Sequence, residues 1–177
     1  LENAVTVLEL LRPSVIKFAE DVEAELGLQG FVDEVKASDV GYFVRFIHYF
    51  GDRQLGDETA AAHVDQSGFT FHLFESASGL QCLPYDKSGW VDMPVSAGET
   101  VIIPAMQMQR RDPRFRALAH RVVATKETQT DGRTSAVCFV QLQRTPRYDK
   151  DVGGRLQEKE PGFNYDMPAE EFNTMFK

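Results

Sequence analysis

Tyr42-Phe43-Val44-Arg45-Phe46-Ile47-His48-Tyr49 is the stretch that decides the fold reading. Tyr42, Val44, Phe46 and His48 alternate with Phe43, Arg45, Ile47 and Tyr49. Successive side chains of an extended chain point to opposite faces, so a period of two predicts a strand. Further runs of the same kind follow at 69–74, 80–83, 90–93, 100–103, 118–125 and 134–142, separated by Gly, Pro and Asp. The 13 Phe, many of them alternating with polar residues, lean the same way. Seven or eight short strands predict an antiparallel sandwich or barrel, a mainly β fold.

Upstream of residue 40 the period changes. Val15, Ala19, Val22 and Leu26 recur at three- and four-residue spacing and form one apolar stripe, so 1–28 reads as helix. Pro13 with Ser14 is expected to break or restart it, and Gly27 to stop it. Downstream of Pro146 the chain is polar, with Gly153-Gly154 and a Lys/Glu-rich stretch, and then carries Phe163, Tyr165, Met167, Phe172, Met175 and Phe176. Those side chains are too apolar for a free tail. The tail is expected to dock on the barrel, with a short helix from Pro168. The expected organisation is a helical segment over 1–39, a barrel over 40–145 and a packed extension over 146–177.

The chain's 177 residues suffice for one domain with a true core, and 42 % apolar residues argue against disorder. Nineteen basic and 27 acidic side chains give a net charge of −8, with no basic run of the kind that binds nucleic acid. Arg110 to Arg116 is the nearest approach; it is short, broken by Asp112 and Pro113, and reads as a solvated loop. Cys82 and Cys138 lie far apart inside apolar runs and are expected to be free, buried thiols of a reducing compartment. No stretch reaches the roughly 20 apolar residues that span a bilayer, and no signal peptide is visible. These features point to the cytoplasm and to no membrane partner.

Chemistry concentrates in three places. In Ala62-His63-Val64-Asp65-Gln66 an extended backbone would put His63 and Asp65 on one face, roughly 7 Å apart at the Cα atoms. Both could converge on one ion, with His120 the candidate third ligand. Two imidazoles and one carboxylate leave half of a coordination sphere open, which suits iron(II) with a bidentate cosubstrate and O2. Each residue alone has a plainer explanation as a hydrogen-bonded strand residue, and periodicity does not exclude His48 or His72 from a metal site. In Gly132-Arg133-Thr134-Ser135, Arg133 and Ser135 share a face. A guanidinium fork beside a hydroxyl can grip a carboxylate, although a turn at Asp131-Gly132 followed by a surface Arg would read the same.

Taken in order, His63-x-Asp65, His120 and Arg133-x-Ser135 resemble the iron- and 2-oxoglutarate-dependent dioxygenases of the isopenicillin N synthase-like branch. The segment 44–49, the run 63–71, Gly79-Leu80-Gln81, Gly89-Trp90-Val91 and His120-Arg121-Val122 are similar to that family's segments over about residues 40–142. The resemblance implies a double-stranded β-helix, a jelly-roll-like barrel, with the metal at its mouth. It implies that His63, Asp65 and His120 bind Fe(II), that Arg133 and Ser135 grip the distal carboxylate of 2-oxoglutarate, and that Tyr49 hydrogen-bonds this cosubstrate. Ascorbate is implied as an accessory reductant. The implied reaction couples decarboxylation of 2-oxoglutarate to succinate and CO2 with oxidation, by hydroxylation, of a small molecule by O2. Asp65 argues against halogenating variants, which carry a small residue there.

Two departures accompany the likeness. Ile102-Ile103-Pro104-Ala105 stands where the family often has Asn-x-Gly-Asp, and only about forty residues precede the barrel where the family usually has a longer pocket-covering region. Either substrate recognition is open, or part of the protein lies outside this sequence. Two rival readings stay in view: an oxidase that uses Arg133 and Ser135 to hold its own substrate instead of 2-oxoglutarate, and an inactive barrel that only binds metal.

Overall fold

A computed structural model describes residues 2–37, 42–86, 88–112 and 114–142. Two helices, α1 (Glu2–Leu26) and α2 (Phe31–Lys36), precede β1 (Tyr42–Tyr49), β2 (Glu58–His63), β3 (Phe69–Glu75), β4 (Leu80–Cys82), β5 (Val91–Asp92) and β6 (Val101–Pro104). A short helix α3 (Met106–Arg111) then leads to β7 (His120–Val123) and β8 (Arg133–Val140). The strands form two four-stranded sheets, β1-β8-β3-β6 and β2-β7-β4-β5, with antiparallel pairing throughout. This is the expected double-stranded β-helix. The docked tail and its helix from Pro168 lie outside the described residues.

The first sheet is two-faced. Val44, Phe69, Phe71, Cys138 and Val140 turn towards the helices, where Val15, Ala19, Val22, Phe31 and Val35 close a single core. Phe18 packs its ring on Phe69 and Phe71, at 5.0 and 5.9 Å between centroids. Phe43, Arg45, Ile47 and Tyr49 of β1 lie opposite Phe139, Val137, Ser135 and Arg133 of β8, so all eight face the barrel interior together. The second sheet repeats the pattern. Ala62 and Val64 bury with Met106 and Ala119, and this turns the alternating His63 and Asp65 the other way.

Several expectations need correction. Helix α1 runs through Pro13 without a break. Proline removes one backbone hydrogen bond, and the buried stripe from Val15 onward holds the helix despite that loss. Leu26 is exposed, and the core is continued instead by Leu28, after the chain turns at Gly27 with φ 66°. Arg111 and Arg114 are not a freely solvated loop. Arg111 belongs to α3 and pairs with buried Glu34 at 2.9 Å, and Arg114 pairs with Asp112 and donates to the Leu26 carbonyl. Both cysteines are free, but Cys82 is only half-buried.

Candidate metal and cosubstrate site

His63 ends β2 and His120 begins β7, directly opposite each other in the strand register. Two residues on from His63, Asp65 opens the loop to β3. The Asp65 Oδ1 atom lies 3.5 Å from His63 Nε2 and 3.7 Å from His120 Nε2, and the two imidazole centroids are 4.4 Å apart. One donor atom from each of the three falls within 4.8 Å of the others. No other group of three His, Cys, Asp or Glu does so among the described residues.

The donors are oriented for a cation. His63 Nδ1 lies 2.7 Å from the Ala61 carbonyl and His120 Nδ1 3.1 Å from that of Leu118. Each Nδ1 therefore carries a proton, and each Nε2 is turned inward towards Asp65. Metal-binding histidines are fixed in this way by their outer neighbours. The Thr70 hydroxyl donates to Asp65 Oδ2 at 2.6 Å and leaves Oδ1 free. Burial pushes the Asp65 carboxyl up, but His120, His63 and Thr70 together hold it well below the usual carboxylate range. Burial, with the neighbouring His63 and His72, lowers His120 to about 4 against the pull of Asp65, so its ring is neutral and free to coordinate. Burial lowers the His63 ring, but Asp65 and the Ala61 carbonyl raise it above its ordinary value, so a cation bound there would take the place of a proton beside Asp65. The donor set fits iron(II): two imidazoles, one ionised carboxylate and an open side, where the His63 side chain is 34 % exposed.

Facing this triad, the interior side of the first sheet carries the other expected residues. Arg133 and Ser135 are buried in β8, and Tyr49 pairs with Arg133 across the strands. The Arg133 guanidinium lies 5.4 Å from the Tyr49 ring centroid, and the Ser135 and Arg133 side chains both act on the Tyr49 phenol. Burial raises the Tyr49 phenol, so it stays a neutral donor. The preceding turn is set by Gly132, φ 77°, where a Cβ would come within 2.0 Å of the Tyr49 carbonyl oxygen. The two histidines left open by periodicity separate. His48 is exposed on the opposite face beside Thr134 and Phe50. His72 faces the interior with its ring 6.1 Å from that of His120, but lies outside the triad.

A model of the 2OG-Fe(II) oxygenase superfamily matches residues 42–142, more than half of the chain. The chain belongs to this superfamily. Iron(II) and 2-oxoglutarate are the metal and cosubstrate that give this superfamily its name. The 2OG-Fe(II) oxygenase fold is also found in solved structures. A Shewanella oneidensis protein described as a candidate oxygenase is 22 % identical, with a TM-score of 0.68 over 98 % of this chain and 63 % of its own. The rice dioxygenase for auxin oxidation is 19 % identical, TM-score 0.66, over 96 % of this chain and 56 % of its own. A Neurospora crassa protein in complex with alpha-KG and 5-formyluracil is 17 % identical, TM-score 0.66, over 80 % of this chain and 48 % of its own. The present chain thus spans about half to two thirds of the length of these relatives. No curated protein sequence matches it.

Three contributors to this oxygenase site escaped the sequence reading. Thr70 holds Asp65, and its place on the interior face of β3 could have flagged it. Helix α3 begins by donating the Met106 and Gln107 N–H groups to the Asp65 and Ser67 carbonyls at 2.9 and 3.0 Å, which pins the ligand loop. Glu75 had no signal at all. Its buried carboxylate places Oε2 2.6 Å from Arg133 Nη2, an ion pair set off the hydrogen-bonding direction, and Oε1 3.3 Å from His72 Nδ1.

Proposed function

We propose that this chain is the catalytic barrel, 40–145 braced by the helices of 1–39, of an Fe(II)/2-oxoglutarate-dependent dioxygenase of the isopenicillin N synthase-like branch that hydroxylates a small molecule. The observation that carries the reading is the convergence of His63, Asp65 and His120 opposite Arg133, Ser135 and Tyr49 across one interior. In this reading His63, Asp65 and His120 hold the iron from one side. Arg133 and Ser135 bind the distal carboxylate of 2-oxoglutarate, and Tyr49 hydrogen-bonds the same molecule. Iron(II) with 2-oxoglutarate supplies the activation of O2, with succinate and CO2 as the by-products. The protein's work is to position and to exclude water: Thr70 keeps Asp65 ionised and aimed, and the two Nδ1–H groups keep both imidazoles turned inward.

The substrate side is supported by a strip of the same interior face. Arg45 lies 5.3 Å from the centroids of both Phe43 and Phe139, whose rings stack at 5.0 Å. A cation over stacked aromatic rings suits a small planar or anionic molecule, the kind named for the auxin-oxidising and 5-formyluracil-bound relatives. Two free cysteines favour a reducing, cytoplasmic location, and among the described residues no helix is long and apolar enough to cross a membrane.

The test is succinate release from 2-oxoglutarate by the iron-loaded protein under O2, with and without candidate substrates, together with a thermal-shift titration with a non-reactive 2-oxoglutarate analogue. Stabilisation and succinate are expected. Tight iron binding without either would transfer the assignment to the oxidase that holds its own substrate's carboxylate on Arg133.

A further inference from the structure

Glu75 occupies an unusual position. Strict alternation along β3 from Thr70 and His72 would send Phe74 inward and Glu75 out to the helix face. The register slips at Leu73: His72 lies opposite Val137 but Phe74 opposite Ala136, so two steps on β3 match one on β8. This bulge turns Phe74 outward, 53 % exposed, and swings Glu75 inward opposite Ser135. There the Glu75 side chain is 4 % exposed and the Arg133 side chain 2 %. Arg133 already spends Nε on the Ala77 carbonyl at 3.3 Å and holds Glu75 through Nη2. The fork that should grip a ligand's carboxylate thus has a carboxylate of the protein on it. The surrounding network is also incomplete: His72, bonded to Glu75 through Nδ1, leaves a buried Nε2 without a hydrogen-bond partner. Folded proteins rarely leave buried polar atoms unpaired unless a ligand or function needs them.

Resting on the reading of Arg133 as the cosubstrate clamp, we propose that Glu75 is an internal competitor for that clamp. It closes Arg133 in the ligand-free protein and must yield, or share the guanidinium, when the distal carboxylate of a 2-oxo acid arrives. Two carboxylates around one buried cation repel strongly in a low-dielectric setting. Glu75 therefore weakens binding of a dicarboxylate selectively, and makes the pocket less discriminating between 2-oxo acids with and without a second charge. A residue that merely positioned Arg133 would do the opposite, because its removal would loosen the clamp.

The experiment titrates the iron(II)-loaded chain, without O2, in a calorimeter. The ligands are 2-oxoglutarate and 2-oxopentanoate, which carries a methyl group in place of the distal carboxylate. Glu75→Gln keeps an acceptor for Arg133 and removes the charge. It is expected to bind 2-oxoglutarate at least about tenfold tighter than wild type, with 2-oxopentanoate changed much less. Unchanged or weaker binding of 2-oxoglutarate overturns the proposal, and so does an equal gain for both ligands. If Glu75→Gln does not fold, Glu75→Asp withdraws the carboxylate by one methylene group and carries the same expectation at smaller size. If wild type and variant bind iron but neither binds 2-oxoglutarate, the clamp reading falls and this proposal with it. If both bind it equally, only the proposal falls.

Discussion

Replacing Arg133 by Ala should damage two properties at once, because the proposed cosubstrate clamp is also the ion-pair partner of a buried acid. Losing the charged partner of the ligand's carboxylate costs about 1.5–3 kcal/mol, so 2-oxoglutarate affinity should fall at least about tenfold. Arg133→Lys should recover only part of that, since an ammonium cannot reproduce the fork. The second loss has nothing to do with ligand. The Glu75 side chain is only 4 % exposed and its ion-pair partner is Arg133. Breaking a buried pair by removing one member costs about 3–5 kcal/mol, which at about 2–4 °C per kcal/mol for a chain of this size lowers Tm by roughly 6–20 °C. The assay is thermal unfolding of ligand-free wild type, R133A, E75Q and the double variant R133A/E75Q. The double variant should regain most of the lost stability and none of the lost 2-oxoglutarate binding, because a neutral amide is far cheaper to bury alone than a carboxylate. If R133A melts with wild type, or E75Q gives no rescue in its background, the two groups are not a buried pair and the reasoning is refuted.

Three further outcomes follow from the site. His63→Ala or Asp65→Ala should weaken iron(II) binding by more than the ~10–100-fold typical of lost outer-shell partners, whereas His72→Ala should matter far less; metal titration decides, and loss of iron in H72A with retention in H63A would reverse the ligand assignment. Thr70→Val, which removes the 2.6 Å bond to Asp65 with little change of shape, should cost on the order of tenfold in iron affinity while the fold by circular dichroism stays unchanged. Burial pushes the Cys138 thiol up to about 12, so near pH 8 it is protonated and should resist alkylation until the protein unfolds, while half-buried Cys82 reacts first; peptide mass mapping reads the order.

What was legible in the sequence is what depends on local period. Alternation along 42–49 identified a strand and its two faces, and the His63-x-Asp65 spacing put both candidate ligands on one side, as an extended chain requires. The helical stripe at Val15, Ala19 and Val22 was legible for the same reason. Composition could not show that Pro13 would be tolerated, since the outcome depends on how firmly the following turns are buried against Phe69 and Phe71. Helices α2 and α3, six residues each, are too short to display a period. Helix α3 exists where its first N–H groups find the Asp65 and Ser67 carbonyls, a contact between segments far apart in the chain. The choice of His120 over His48 and His72 also rests on pairing: β2 and β7 set His63 against His120, while His48 falls on the outer face of its own strand. The sharpest case is Glu75. Local alternation sends it outward, and a single extra residue at Leu73 reverses the phase of everything after it in β3. A bulge is a property of two paired strands, so only the tertiary structure could bring that carboxylate to Arg133.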